Sequence, residues 1–126
     1  MLVTSRGTGR WVLPKGWPKK RHTGPGIAAL EAFEEAGLKG EVAADSIGMY
    51  RYPKRMPKGR TVECDVDVYL MRVAELLEDW PERAERQRRW FTLAEAAGAV
   101  REPDLTALLL RLSGAPDVAA VLSSGD

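Results

Sequence analysis

Apolar residues alternate with polar ones along residues 61–73. Val62, Cys64, Val66, Val68 and Leu70 fall on one side, and Glu63, Asp65, Asp67, Tyr69 and Met71 on the other. That is the period of a strand with one face inward. Residues 102–112 show the helical period instead, with Leu105, Leu108, Leu109 and Leu112 on one stripe. Pro103 and Asp104 mark the start of that helix and Ser113-Gly114 its end. A third stretch, residues 23–40, reads TGPGIAALEAFEEAGLKG. It opens on a Gly-Pro-Gly break and closes at Gly37, after good helix formers, so it predicts a helix of about three turns. Ala29, Ala32, Phe33 and Ala36 share a face of it that can be buried.

Weaker patterns fill in the rest. Residues 2–4 form a short β-type run, residues 5–9 a turn with Gly7 and Gly9, and residues 11–13 a second strand ended by Pro14-Lys15-Gly16. Residues 17–22, WPKKRH, read as a basic loop. Residues 41–52 hold a strand ending in Met49-Tyr50-Arg51-Tyr52, and two prolines make a loop of residues 53–59. Residues 76–89 are polar and irregular and lead into a short strand at Trp90-Phe91. Thr92 is an N-cap with Glu95 completing a capping box for a helix over residues 93–97. Residues from Ala115 onward read as a loose tail, leaving 1–114 as one domain. Strands and helices interleave irregularly, which predicts an α/β fold with a mixed sheet.

Composition narrows the function. Lys plus Arg is 19 against 18 for Asp plus Glu, so the chain is no general nucleic-acid or membrane binder, and any electrostatic role rests on local clusters. The lone cysteine, Cys64, excludes an internal disulfide and suits the cytoplasm; on the apolar side of its strand it is a core residue rather than a nucleophile. No charged-then-apolar leader begins the chain.

Two charge clusters carry the chemistry. Glu31, Glu34 and Glu35 stand at i, i+3 and i+4, within an arc of roughly 100° on the helix. Like charges so placed repel by a few tenths of a kcal/mol per pair. A hard divalent cation, Mg²⁺ or Mn²⁺, reverses the sign because it takes oxygen ligands. The alternative is a solvated acidic face. From Arg51 to Arg60 there are five basic residues (Arg51, Lys54, Arg55, Lys58 and Arg60) and no acid, a density that favours a polyphosphate. Lys19, Lys20 and Arg21 add a second basic run.

The run from Gly16 to Leu38 resembles the Nudix box: G, five residues, E, seven residues, then R-E-U-x-E-E-x-G-U, with U apolar. Gly16, Glu31, Ala32, Glu34, Glu35, Gly37 and Leu38 match without insertion; His22 stands at the first Glu and Leu30 at the Arg. The segment LEDW at residues 77–80, then Arg88, Arg89, Trp90 and Phe91, resembles the diphosphoinositol polyphosphate phosphohydrolase branch of that superfamily.

The resemblance implies an α/β/α sandwich, here lacking the strand that usually precedes residues 2–4, an edge that a homodimer would cover. It implies an Mg²⁺-dependent hydrolase of a diphosphate linkage in a small polyphosphorylated substrate. By position, Glu31, Glu34 and Glu35 would be catalytic and metal-binding, with the Gly16 carbonyl a further ligand. Lys15, Lys19, Arg51, Lys54, Arg55, Lys58 and Arg60 would hold phosphates. The family's Glu and Arg, replaced here by His22 and Leu30, would form a pair supporting Glu31. Losing both avoids an orphaned charge but leaves either a slow enzyme or a relative that binds a phosphorylated ligand or protein without turnover.

Overall fold

The computed structural model describes residues 1–16 and 23–114. In chain order the elements are β1 (Leu2–Thr4), β2 (Trp11–Val12), α1 (Gly24–Ala36), β3 (Leu38–Val42), β4 (Gly48–Arg55), β5 (Thr61–Val68), β6 (Met71–Leu76), β7 (Arg88–Arg89), α2 (Leu93–Ala99) and α3 (Pro103–Ser113). A 3-10 turn at Pro57–Gly59 joins β4 to β5. The strands form three ladders, β2-β1-β7, β3-β6 and β4-β5.

The chain is α/β, as the interleaving predicts. Every pairing among the described residues is antiparallel, whereas a mixed sheet also contains parallel ones. The reason lies in the connections: the β4–β5 hairpin is nested between β3 and β6, and a short return can only run antiparallel. Bonds from the Ala43 N–H to the Leu70 carbonyl (2.9 Å) and from the Ile47 N–H to the Val68 carbonyl (2.8 Å) stitch the two nested ladders together.

The layering follows from two adjacent residues of β1. Leu2 packs with Tyr50, Ala96, Ala97, Val100, Leu105 and Leu109, on the side of α2 and α3. Val3 packs with Val12, Ala32, Ala36 and Leu38, on the side of α1. Successive strand residues point to opposite faces, so β1 lies between α1 and the α2–α3 pair, giving the α/β/α order. The four leucines of α3 are all buried, as their spacing predicts. The Thr92–Glu95 capping box is formed in full at the start of α2.

Four boundaries differ from the sequence expectation. The strand expected over residues 61–73 is two strands, because the chain leaves one ladder at Tyr69-Leu70 and joins another. Alternation continues through such a switch and does not reveal it. β4 runs through Pro53 to Arg55, paired with Glu63 to Thr61 of β5, rather than stopping at Tyr52. β4 pairs on one side only in its ladder, and an edge strand tolerates proline. The strand expected at Trp90-Phe91 is formed instead by Arg88–Arg89, which pairs with Leu2 and Val3; Phe91 packs against the core and the Trp11 ring, and Trp90 is exposed. Residues 38–42 also form a strand, where only 41–52 was expected. The basic loop 17–22 and the tail from 115 lie outside the described residues.

The helix that carries the glutamates is fixed at both ends. The Thr23 hydroxyl accepts the Gly26 N–H at 3.0 Å, and Gly37 closes the helix at φ 67°. The last four carbonyls of a helix lack intrahelical partners. Here the Gly37 N–H bonds to Phe33, the Glu82 N–H to Glu34, the Trp80 indole N–H to Glu35 and the Arg88 guanidinium to Ala36. The segment between β6 and β7 is therefore docked as a lid on the helix end, and the Arg88 cation sits where the helix dipole favours it. Arg88 also lies 3.9 Å over the Trp80 ring. A Cβ on Gly37 would come within 3.1 Å of Trp80 and 2.7 Å of Arg88. Gly37→Ala should therefore lower stability by at least about 1–2 kcal/mol, the cost of a left-handed non-glycine, measured by urea unfolding.

Candidate functional site

Glu31 and Glu35 lie one turn apart on α1 and are 8% and 4% exposed. The acidic face is thus not solvated at these two positions: the pair is turned inward beside Ala32 and Ala36. The Glu31 carboxyl acts as a hydrogen-bond partner that favours the protonated form of Glu35. Burial, then this hydrogen bond, pushes Glu35 up from an ordinary 4.5 to about 8, and Glu31 and Glu82 add like-charge repulsion. Arg86 opposes the shift: its Nη2 lies 3.4 Å from Glu35 Oε1.

The strand that precedes α1 brings the rest. After β2 the chain passes across the helix, and the Lys15 N–H donates to Glu35 Oε2 at 3.4 Å. A Cβ on Gly16 would lie 2.5 Å from Glu31 Oε1, so this position has room for backbone only. The Lys15 ammonium rests 4.8 Å over the Tyr52 ring of β4. Burial lowers its pKa, while Glu35 and then Glu102 hold it up.

Arg86 was not singled out in the sequence. Its Nε donates to Glu82 Oε1 at 2.8 Å and its Nη1 to the Thr4 carbonyl at 3.0 Å, and its side chain is 9% exposed. The i,i+4 spacing of Glu82 and Arg86 was visible in the sequence, but nothing there distinguishes Arg86 from its basic neighbours. Only the docking of the segment onto the end of α1 brings it to Glu35. Leu30, at the box position of an arginine, instead lines a shallow apolar groove with Phe33, Leu38 and Met71.

The other predicted residues spread out. Glu34 is half-buried, and its carbonyl accepts the Glu82 N–H. Lys54 lies on the same side of β4 as Tyr50 and Tyr52; Arg51 and Arg55 lie on the other, exposed. Arg51 pairs with Asp65 at 2.9 Å. Lys58 and Arg60 are exposed at the β4–β5 turn, and Lys19 lies outside the described residues. A cavity of about 690 Å³ opens between the ladders, lined by apolar residues such as Leu2, Leu13, Val66 and Leu109. It holds none of Glu31, Glu34 and Glu35.

The donor set suits a hard divalent cation. Two buried carboxyl groups stand one turn apart, where an ion would serve both, and Gly16 sets its backbone close beside Glu31. Among the described residues, no group of three or more His, Cys, Asp or Glu side chains is gathered as an ion site, so Glu34 is not drawn in.

No protein-family model matches the chain. It is 37% identical over 102 residues to Nudix hydrolase 12, mitochondrial, of Arabidopsis thaliana, covering 76% of this chain and 49% of that protein. It is 35% identical over 98 residues to diphosphoinositol polyphosphate phosphohydrolase 3-alpha of Homo sapiens, covering 76% and 56%. The chain belongs to the Nudix superfamily. A third relative, Nudix hydrolase 16, mitochondrial, of Arabidopsis thaliana, is 35% identical over 109 residues, covering 82% and 58%. The Nudix chain spans about half the length of the curated relatives it matches.

The carboxyl pair gives this Nudix chain a defined pH response. Between the ordinary value and about 8 the folded state holds a proton on Glu35 that the unfolded chain has released. Stability of the metal-free protein should therefore fall as pH rises from about 5 to about 8. Glu35→Gln should flatten that dependence in thermal melts; an unchanged slope would remove Glu35 as its source.

Proposed function

We propose that this Nudix domain hydrolyses a phosphoanhydride bond in a small polyphosphorylated substrate, with Mg²⁺ or Mn²⁺ as cofactor. The observation that carries this reading is the buried pair Glu31 and Glu35, set against Gly16 and Lys15. Substrate classes in keeping with it are dinucleoside polyphosphates, other nucleoside diphosphate derivatives and inositol pyrophosphates. A relative that matches over three quarters of this chain is named a diphosphoinositol polyphosphate phosphohydrolase.

Glu31 and Glu35, with the Gly16 carbonyl, would hold the cation, and Glu34 would have to turn in to join them. When bound, it neutralises the diphosphate and makes water a better nucleophile. The chain's own residues do the remainder. Glu31 accepts a proton from the attacking water, which forms the new P–O bond as the anhydride P–O bond breaks and the phosphate leaves. Arg86 holds Glu35 in place, and its salt bridge to Glu82 keeps it from swinging away. Lys15 and Lys54, on the Tyr52 side of the hairpin, hold the outer phosphates. Arg55, Lys58 and Arg60 extend that basic surface along the hairpin tip, and Arg51 stands beside them in its pair with Asp65.

A second reading, ligand binding without turnover, is favoured by one observation: Leu30 packs beside Phe33 and Met71 and supports no carboxylate. No helix among the described residues is long and apolar enough to cross a membrane. We keep a cytoplasmic location, in line with the free Cys64, and a homodimer as parts of the proposal.

Phosphate release from a panel of these substrates should depend on Mg²⁺. Glu31→Gln should reduce kcat by about 10²–10⁴-fold, the range of a lost general base. Arg86→Ala should cost about 10–100-fold. Release by the Glu31→Gln variant at the wild-type rate would overturn the proposal.

A further inference from the structure

Glu102 stands at the N-cap of α3 but caps nothing with its side chain. That side chain turns to Arg10, whose Nη1 donates to Glu102 Oε2 at 2.9 Å. The residue is 6% exposed, and its other oxygen, Oε1, is buried with no hydrogen-bond partner. Among the described residues it is the only buried side-chain polar atom so left. An unpaired buried acceptor is destabilising, and a carboxylate oxygen more so than most, so its persistence calls for a donor.

The surroundings say where that donor belongs. Glu102 acts electrostatically on Lys15, Tyr50 and Tyr52, and Glu35 acts on Lys15 and Tyr50 as well. Lys15, bonded through its N–H to Glu35 and resting its ammonium over Tyr52, is thus within electrostatic reach of both the carboxyl pair on α1 and the carboxylate on α3. The ammonium and the Arg10 guanidinium suit a phosphate there. Glu102 Oε1 does the opposite: it repels phosphate and attracts a neutral donor.

We infer that Glu102 determines specificity, its unpaired carboxylate oxygen accepting a hydrogen bond from a hydroxyl on the group that carries the phosphate chain. The domain then takes chains esterified to a sugar with a free hydroxyl, as in a dinucleoside polyphosphate. A ring phosphorylated at every position is disfavoured, since it offers Glu102 no donor and a like charge. The inference rests on the hydrolase reading above for the position of the phosphate chain.

The test measures binding to a methylene-bridged diadenosine tetraphosphate, which cannot be cleaved at the bridge, and to its 2′,3′-dideoxy counterpart. Calorimetry in Mg²⁺ supplies the affinities, and inositol hexakisphosphate serves as the fully phosphorylated ring. Wild type should bind the ribose form about 10–100-fold more tightly than the dideoxy form, the range for a hydrogen bond to a charged group. Glu102→Gln should shrink that ratio to a few-fold and bind inositol hexakisphosphate more tightly than wild type does. A merely structural Glu102 would weaken both nucleotide probes equally and leave the ratio intact, which overturns the inference. So does failure of wild type to bind either nucleotide, or to distinguish them, a comparison that needs no variant. Hydrolysis of the unmodified tetraphosphate is followed in parallel. If it is absent while the ribose preference holds, the hydrolase reading falls and the role of Glu102 in recognition stands.

Discussion

Two carboxyl groups one helical turn apart, both turned away from water, cannot both keep their charge without help. That constraint organises the structure around α1. The pair meets it with a proton held on Glu35, one guanidinium from Arg86 and one backbone N–H from Lys15. A surface pair of like charges would cost only a few tenths of a kcal/mol. Burial raises the stakes because desolvation penalises each charge. A helix built for stability alone would place alanines there.

The segment between β6 and β7 is the second half of that arrangement. It satisfies the carbonyls of Glu34, Glu35 and Ala36, and so delivers Arg86 to the carboxyl pair. Its far end is tied to β1 through Thr4, which exchanges backbone and side-chain hydrogen bonds with Gln87. One connection thus couples the helix end, the central strand and the counter-charge. A fault anywhere in it reaches the site through the packing of Trp80 and Arg88 against Gly37.

Much of this was legible from local chemistry. Thr23, Pro25 and Gly37 bound the helix, the leucine stripe marks α3, and Thr92 with Glu95 marks the start of α2, because caps and periodicity act within a few residues. The Gly16-to-Leu38 spacing carried the Nudix resemblance, which implied Gly16 and Glu31 as residues of one site. What stayed hidden depends on partners far along the chain. Alternation could not show that residues 61–73 change ladders at Tyr69-Leu70. Pro53 looked like a breaker because sequence does not reveal which strand is an edge. Arg86 and Glu102 carried no signal, since each becomes distinctive only through a neighbour about 50 or more residues away, Glu35 for one and Arg10 for the other.

If the proposed cation site is this pair, a divalent cation must displace the proton that Glu35 holds at neutral pH. Isothermal titration of the protein with Mg²⁺ at pH 7, in two buffers of different ionisation enthalpy, counts the protons released on binding. Release should approach one proton per cation bound in the wild-type protein and almost none in Glu35→Gln. Cation binding with no proton release from the wild type would contradict the proposed site.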